Sequence, residues 1–238
     1  MRHRLLLCQT ALLTIFIGLT SVGSAAGQTP LTGPRIKTAP ETFEFGYVPQ
    51  DATVSHTFWL RNPGTETVNI QQIKPNCGCT RVPPTDSSIA VGDSLPVEIV
   101  FGSGKISGKV EKFTRIMSNA AGRVPALTFR ALVYKPEAKP GTFAVTPEVL
   151  NTGKSITGKI TLKNTSQAPL RIMVVDLPPS VIQLDTNEMS LEPEESKELS
   201  ISLIAQTSEG DFTKSVTFEA NDPAKTRITL PITNVLKE

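Results

Sequence analysis

Histidine and cysteine are scarce in this chain of 238 residues, which holds two of the first and three of the second. His3 and Cys8 fall in the amino-terminal stretch, so the body of the protein keeps only His56, Cys77 and Cys79. One histidine excludes a multi-histidine metal site and a pair of histidines sharing acid and base work. Aromatic residues make up only 5% of the chain, and no run of Lys or Arg interrupts its body. The phosphate-neutralising surface that nucleic acid requires is therefore missing. No G-x-S-x-G, H-E-x-x-H or phosphate loop occurs, and no carboxylate pair sits in a motif that assigns an acid and a base. Catalysis has no visible site, and a non-enzymatic role is expected.

Net charge is small as well. The formal +2 comes from 24 Lys and Arg against 22 Asp and Glu, and Arg2 and Arg4 supply all of the excess. These two residues, with His3, form the positive start of an export signal, followed by an apolar stretch from Leu5 to Leu19 and the small residues Ser24, Ala25 and Ala26. Residues 1–26 read as a signal peptide and 27–35 as a polar leader. Cys8 follows three leucines and sits too early to be a lipoprotein cysteine. The expected address is the bacterial periplasm or the medium, where disulfides persist, and the chain after the signal is not expected to span a membrane.

What the sequence does contain is a repeat. Thr57–Ile70 aligns with Lys159–Ile172 so that Asn62 falls on Asn164, an offset of 102 positions. The same offset carries Gly108 to Gly210, Asn119 to Asn221, and Val97 and Ile99 to Leu199 and Ile201. Two copies follow, residues 36–134 and 142–236, joined by a Pro-containing linker at 135–141. Each copy has period two. Val54, His56, Phe58 and Leu60 alternate with polar neighbours, as do Leu95 to Phe101, Leu127 to Val133, Leu199 to Leu203 and Ile228 to Ile232. Ile156, Ile160 and Leu162 are read into the same inward phase. Turn residues such as Asn62-Pro63-Gly64 and Asn221-Asp222-Pro223 separate the runs. The pattern predicts an all-β protein of two tandem immunoglobulin-like antiparallel β-sandwiches.

The order Phe43-x-Phe45-Gly46, His56-x-Phe58-x-Leu60-x-Asn62-x-Gly64, Cys77-Gly78-Cys79-Thr80, Val91-Gly92, Gly108 and Ser118-Asn119 resembles the exported bacterial family known as domain of unknown function 1573. It is more distantly similar to immunoglobulin-like domains of the abnormal-spindle and hydin type. The second copy diverges, with Pro178-Pro179-Ser180-Val181 in the cysteine region. The resemblance implies a β-sandwich and an extracytoplasmic life, and it brings no established activity.

Cys77 and Cys79 read in several ways. Residues two apart place their Cα atoms roughly 5 to 7 Å from each other, within disulfide range. A local disulfide, a pair of buried thiols, a thiol-disulfide exchange site and a metal site all fit, with Lys74 and Arg81 beside the pair to stabilise a thiolate. No cofactor is required, and copper is the metal candidate, because two thiolates with His56 suit Cu(I) better than four-coordinate zinc. That idea takes Thr53–Asn62 and Thr67–Lys74 as a hairpin, which would bring His56 and Cys77 to one end. His56 otherwise reads as a residue at the rim of the core. Trp59 and Arg61 share the polar phase of their strand and are binding candidates. Asn62, Asn119, Asn164 and Asn221 read as turn-holding residues, and Glu192 to Glu198 as a solvated acidic loop. The expected function is interaction with an unidentified protein or cell-envelope component, with a thiol-disulfide or Cu(I)-handling role as the alternative. A two-domain pilus-type chaperone fits the domain count alone.

Overall fold

The computed structural model describes residues 32–135, 138, 141–153, 155–204 and 212–234. The expected signal peptide, Gly210 and parts of the leader and linker lie outside the described residues. The first copy forms β1 (Thr42–Pro49), β2 (Thr53–Arg61), β3 (Val68–Pro75), β4 (Thr80–Arg81), β5 (Ser88–Ile89), β6 (Ser94–Gly102), β7 (Gly108–Ser118) and β8 (Leu127–Tyr134). The second forms β9 (Phe143–Thr146), β10 (Leu150–Asn151), β11 (Thr157–Asn164), β12 (Leu170–Asp176), β13 (Ile182–Leu184), β14 (Glu188–Leu191), β15 (Ser196–Leu203), β16 (Thr213–Ala220) and β17 (Arg227–Thr233). No helix occurs among the described residues.

Alternation builds each core. Val54, Phe58 and Leu60 of β2 and Val97, Ile99 and Phe101 of β6 project from one sheet. They meet Leu127, Phe129, Ala131 and Val133 of β8 from the other. Burying each large side chain contributes about 1.5–3 kcal/mol. A separate cluster around Ile160, Leu162, Leu199, Ile201 and Phe218 fills the second copy. Ile156 departs from the expected phase and is 48% exposed. The Ser155 hydroxyl bonds the Thr157 amide and carbonyl, so the chain is still turning at Ile156 and the alternation starts at β11.

The repeat extends to individual hydrogen bonds. Asn62 is fully buried, and its amide donates to the carbonyls of Glu66 (2.8 Å) and Ile89 (3.0 Å) while its oxygen accepts from the Gly64 amide (3.0 Å). Asn164 does the same with Ala168, Leu191 and Ser166, each partner displaced by the repeat offset. Asn119 and Asn221 accept from the amides of Asn69 and Arg171 at equivalent places. The expected hairpin does not form: β2 belongs to the β2-β6-β4 sheet and β3 to the opposite one. A chain crossing between sheets buries its own polar backbone, and Asn62 satisfies those groups.

The two copies share a sheet. Its ten strands follow the path β14-β12-β16-β17-β1-β8-β7-β3-β5, with β10 also on β17. In the first copy β1 covers the edge of β8 along its whole length. In the second, β10 has two residues and pairs with only Ile232 and Thr233 of β17. The start of β17 is thereby left for β1, where Tyr47 pairs with Ile228. Side chains reinforce the joint: Thr229 Oγ1 donates to the Phe45 carbonyl (2.6 Å) and Arg227 to the Glu44 carbonyl (3.1 Å). Lys214 pairs with Glu98, and the Ser215 hydroxyl both accepts from the Ser55 amide (3.0 Å) and donates to the Ser55 carbonyl (2.9 Å).

Candidate functional site

Strand β2 organises the surface around Trp59. Its nine residues pair with β6, so inward and outward positions are fixed along its length. His56 takes the inward phase. Its ring stacks on Phe43 with centroids 3.7 Å apart and meets the edge of Phe58 at 4.7 Å. His56 Nδ1 lies 3.0 Å from Asp176 Oδ2 of the second copy, an ion pair when the ring is protonated. The rim-of-core reading of His56 is thus the one its surroundings fit, with the domain joint as the rim.

Trp59 and Arg61 point outward from β2, and Trp59 is 59% exposed. Both line a cleft of about 680 Å³ together with Arg35, Lys37, Glu41 and Arg123. Glu41 and Arg123 form a bidentate pair at 2.5 and 2.6 Å, and the Arg123 guanidinium holds the Glu41 carboxyl below its usual range. Arg35 is committed to the carbonyls of Thr32 and Ala121. Among the described residues, the side chains of Lys37 and Arg61 make neither an ion pair nor a hydrogen bond. In a chain whose body is electrically neutral, this cleft collects four cations against one carboxylate.

A second cleft of about 430 Å³ opens on the other side of Trp59. One wall is the outward face of β2 and β6, through Thr57, Pro96 and Glu98; the other is Asp176, Pro178 and Pro179 of the second copy. Pro178, Pro179 and Ser180, from the segment that occupies the place of the cysteine motif, therefore line this cleft, while Val181 packs against the second core. Trp59 lines both clefts and presents an amphipathic ring to each.

The cysteines lie elsewhere. Cys77 and Cys79 are joined in a disulfide with Cα atoms 5.3 Å apart, in the turn between β3 and β4. Cys79 packs against the first core, its carbonyl accepts from the Gly102 amide, and the Thr80 hydroxyl lies 3.4 Å from the Cys77 sulfur. Strand β4 occupies the opposite edge of the three-stranded sheet from β2, with β6 between them. His56 is not brought to the pair, and among the described residues no group of three His, Cys, Asp or Glu side chains is arranged to hold a metal ion. The copper triad of Cys77, Cys79 and His56 rested on a hairpin of β2 and β3, which does not form. The ring that the disulfide closes is very short, so its removal costs little. Replacing both cysteines by serine is expected to lower stability by about 1.5 kcal/mol, the loop-closure value for a ring of this size. Urea unfolding of the oxidised protein and the double variant measures it; a loss above about 3 kcal/mol would mean that the turn holds more of the first core than its contacts imply.

The sequence signal for the Trp59 surface was the shared phase of Trp59 and Arg61. Arg35, from the end of the leader, Lys37, from the start of the first copy, and Arg123, from the loop before β8, carried none. The fold brings them together because Lys37 exchanges backbone hydrogen bonds with Arg61 at 2.8 and 2.9 Å.

The architecture defines the class: two immunoglobulin-like β-sandwiches in tandem, fused through one sheet. Residues 36–133 and again 140–235 match the family described as protein of unknown function DUF1573, and the chain belongs to that family. No curated protein matches it in sequence. Among solved structures it is similar to a protein of unknown function from Porphyromonas gingivalis W83, with 12% identity over 84% of this chain and 99% of that one and a TM-score of 0.36. It is also similar to WR4, a member of the MSP family of C. elegans (10% identity, 40% of this chain, 100% of that one, TM-score 0.35). A third is the CupB2 chaperone of Pseudomonas aeruginosa (13%, 82% and 98%, TM-score 0.30). Nothing of these neighbours' activities transfers at such values.

Proposed function

We propose that this chain is a non-enzymatic, extracytoplasmic binding protein that engages a protein partner of the cell envelope through the surface around Trp59. The observation that carries this reading is an exposed tryptophan between two clefts, flanked by two cations with no partner among the described residues. Trp and Arg are the residue types most enriched where binding energy concentrates. The fused sheet supports the same reading, because it fixes the Pro178–Pro179 wall relative to Trp59 before any partner arrives, which lowers the entropic cost of binding. Export rests on the Arg2–Ala26 pattern. Thiol exchange and copper handling stay outside the proposal: a disulfide by itself does not mark an exchange site, and among the described residues no group of three His, Cys, Asp or Glu side chains is arranged to hold a metal ion.

The test is capture of envelope proteins from detergent extract on immobilised protein. A specific partner is expected to be retained by the native chain and by the Cys77→Ser/Cys79→Ser variant. Its recovery is expected to drop at least tenfold with Trp59→Ala or Arg61→Glu. Loss of capture in the cysteine variant, with the Trp59 and Arg61 variants unaffected, would transfer the function to the disulfide turn.

A further inference from the structure

The outer edge of β2 is only partly closed. Alternate residues of a strand direct their N–H and C=O groups to the same side. Arg61 directs both toward Lys37, and Ser55 directs both toward the Ser215 hydroxyl. Thr57 and Trp59 lie between them in the same phase, so their backbone groups also point away from β6. Among the described residues those groups have no hydrogen-bond partner. In the second copy the corresponding edge is occupied: β9 lies along β11, pairing Thr146 with Thr161 and Ala144 with Lys163. Thr161 and Lys163 are the counterparts of Trp59 and Arg61 at the repeat offset. In the first copy the equivalent segment keeps only the Lys37–Arg61 pair. Thr38 and Ala39 stand back across the larger cleft from Trp59.

We propose that the outer edge of β2 takes up an extended acidic peptide as an added strand, paired to the backbone of Thr57 and Trp59 and held by Trp59, Lys37 and Arg61. This rests on the reading of the Trp59 surface as a binding site and specifies its partner. The backbone demands an extended chain, because only a strand presents donors and acceptors at the spacing that two alternate residues offer. The charge demands acidic side chains. Lys37 and Arg61 are the cations of the cleft with neither an ion pair nor a hydrogen bond among the described residues, whereas Glu98 at the other end is matched by Lys214 and Asp176 Oδ2 lies 3.0 Å from His56 Nδ1. The peptide's alternation then has two addresses: acidic residues on the outward face beside Trp59 and Arg61, apolar ones toward the sandwich interior.

The probe is an acetylated, amidated octapeptide of alternating Glu and Val, titrated against the full chain. Trp59 is the only tryptophan and reports binding by its own fluorescence. Saturable binding is expected, weakened at least tenfold when Lys replaces Glu. Two further peptides carry N-methyl groups on all Glu or on all Val residues. Only one of these sets faces β2, so one peptide is expected to lose at least tenfold in affinity and the other to bind within about twofold of the parent. On the protein, Thr57→Pro removes an outward N–H without touching the β6 ladder. It is expected to keep the circular dichroism spectrum and melting temperature of the native chain while losing at least fivefold in affinity. Equal binding of both methylated peptides overturns strand addition, yet leaves the Trp59 surface standing if Arg61→Glu still weakens them. Failure of the Glu-Val peptide to bind overturns the inference alone when the Trp59 and Arg61 variants still lose the envelope partner, and overturns both readings when they do not.

Discussion

Gly46→Ala is expected to separate the two domains. Gly46 adopts φ +67°, which a side chain disfavours by about 1–2 kcal/mol. A Cβ at this position would also lie 2.3 Å from the Arg227 carbonyl oxygen of the second copy, inside any tolerable contact. Backbone on both sides blocks relief, because β1 is held by β8 and β17 by β16. The variant can escape only by withdrawing β1 from β17, which forfeits the Tyr47–Ile228 pairing and the bonds from Arg227 and Thr229. Together these put the cost at about 3 kcal/mol or more. In solution the expected signs are a larger radius of gyration by small-angle scattering and two urea transitions where one is expected for the native chain. An unchanged radius and midpoint would show that the joint is looser than its contacts imply.

The second large effect is expected at Asn62. Truncation to alanine strands the buried Ile89 carbonyl and Gly64 amide and removes the partner of the part-buried Glu66 carbonyl. Each orphaned group costs about 1–3 kcal/mol, so Asn62→Ala should lose about 3–5 kcal/mol. Relaxation offers little, since Gly64 is pressed against the Gly33 carbonyl and leaves no room for the turn to shift. Asn164→Ala should cost a similar amount through Ala168, Leu191 and Ser166. Unfolding followed by Trp59 fluorescence responds first to Asn62→Ala, because the tryptophan is in the first copy. A loss below about 1 kcal/mol in either variant would contradict the account of the crossover.

These asparagines also show how far the sequence could be read. Their recurrence at one offset, with the inward runs ending on Leu60 and Leu162, was enough to define two sandwiches and their strands, because burial on one face imposes period two. Strand pairing was less accessible. Nothing in Asn62-Pro63-Gly64 distinguishes a hairpin from a crossover, and the proximity of His56 to Cys77 was inferred from that hairpin. The domain joint was hidden for a different reason. Ser215, Thr217, Glu219 and Thr229 occupy the outward phase of β16 and β17, which period two assigns to solvent, yet all four are buried. Ser215 and Thr229 bond directly across the joint to the first copy, whereas Thr217 bonds to Thr229 and Glu219 pairs with Arg227 beside it. A hint existed in the small, uncharged Ser and Thr where an exposed edge would carry Lys or Glu. Trp59 and Arg61 were legible as an outward pair. The clefts that give them meaning depend on distant segments that only the fold brings near.

The sheet shared by the two copies has a mechanical consequence. A pair of domains tied only by a linker bends at the linker, and a pull on one reaches the other as slack. Here β17 is bonded on one side to β16 and on the other to β10 and β1. Rotating one sandwich against the other must break the Tyr47–Ile228 pairing and side-chain bonds from Glu44 to Ser55 at once. The molecule therefore behaves as a beam. A load applied at the β14 end arrives at the β5 end as displacement, and the distance between whatever is attached at those two places becomes a constant of the fold.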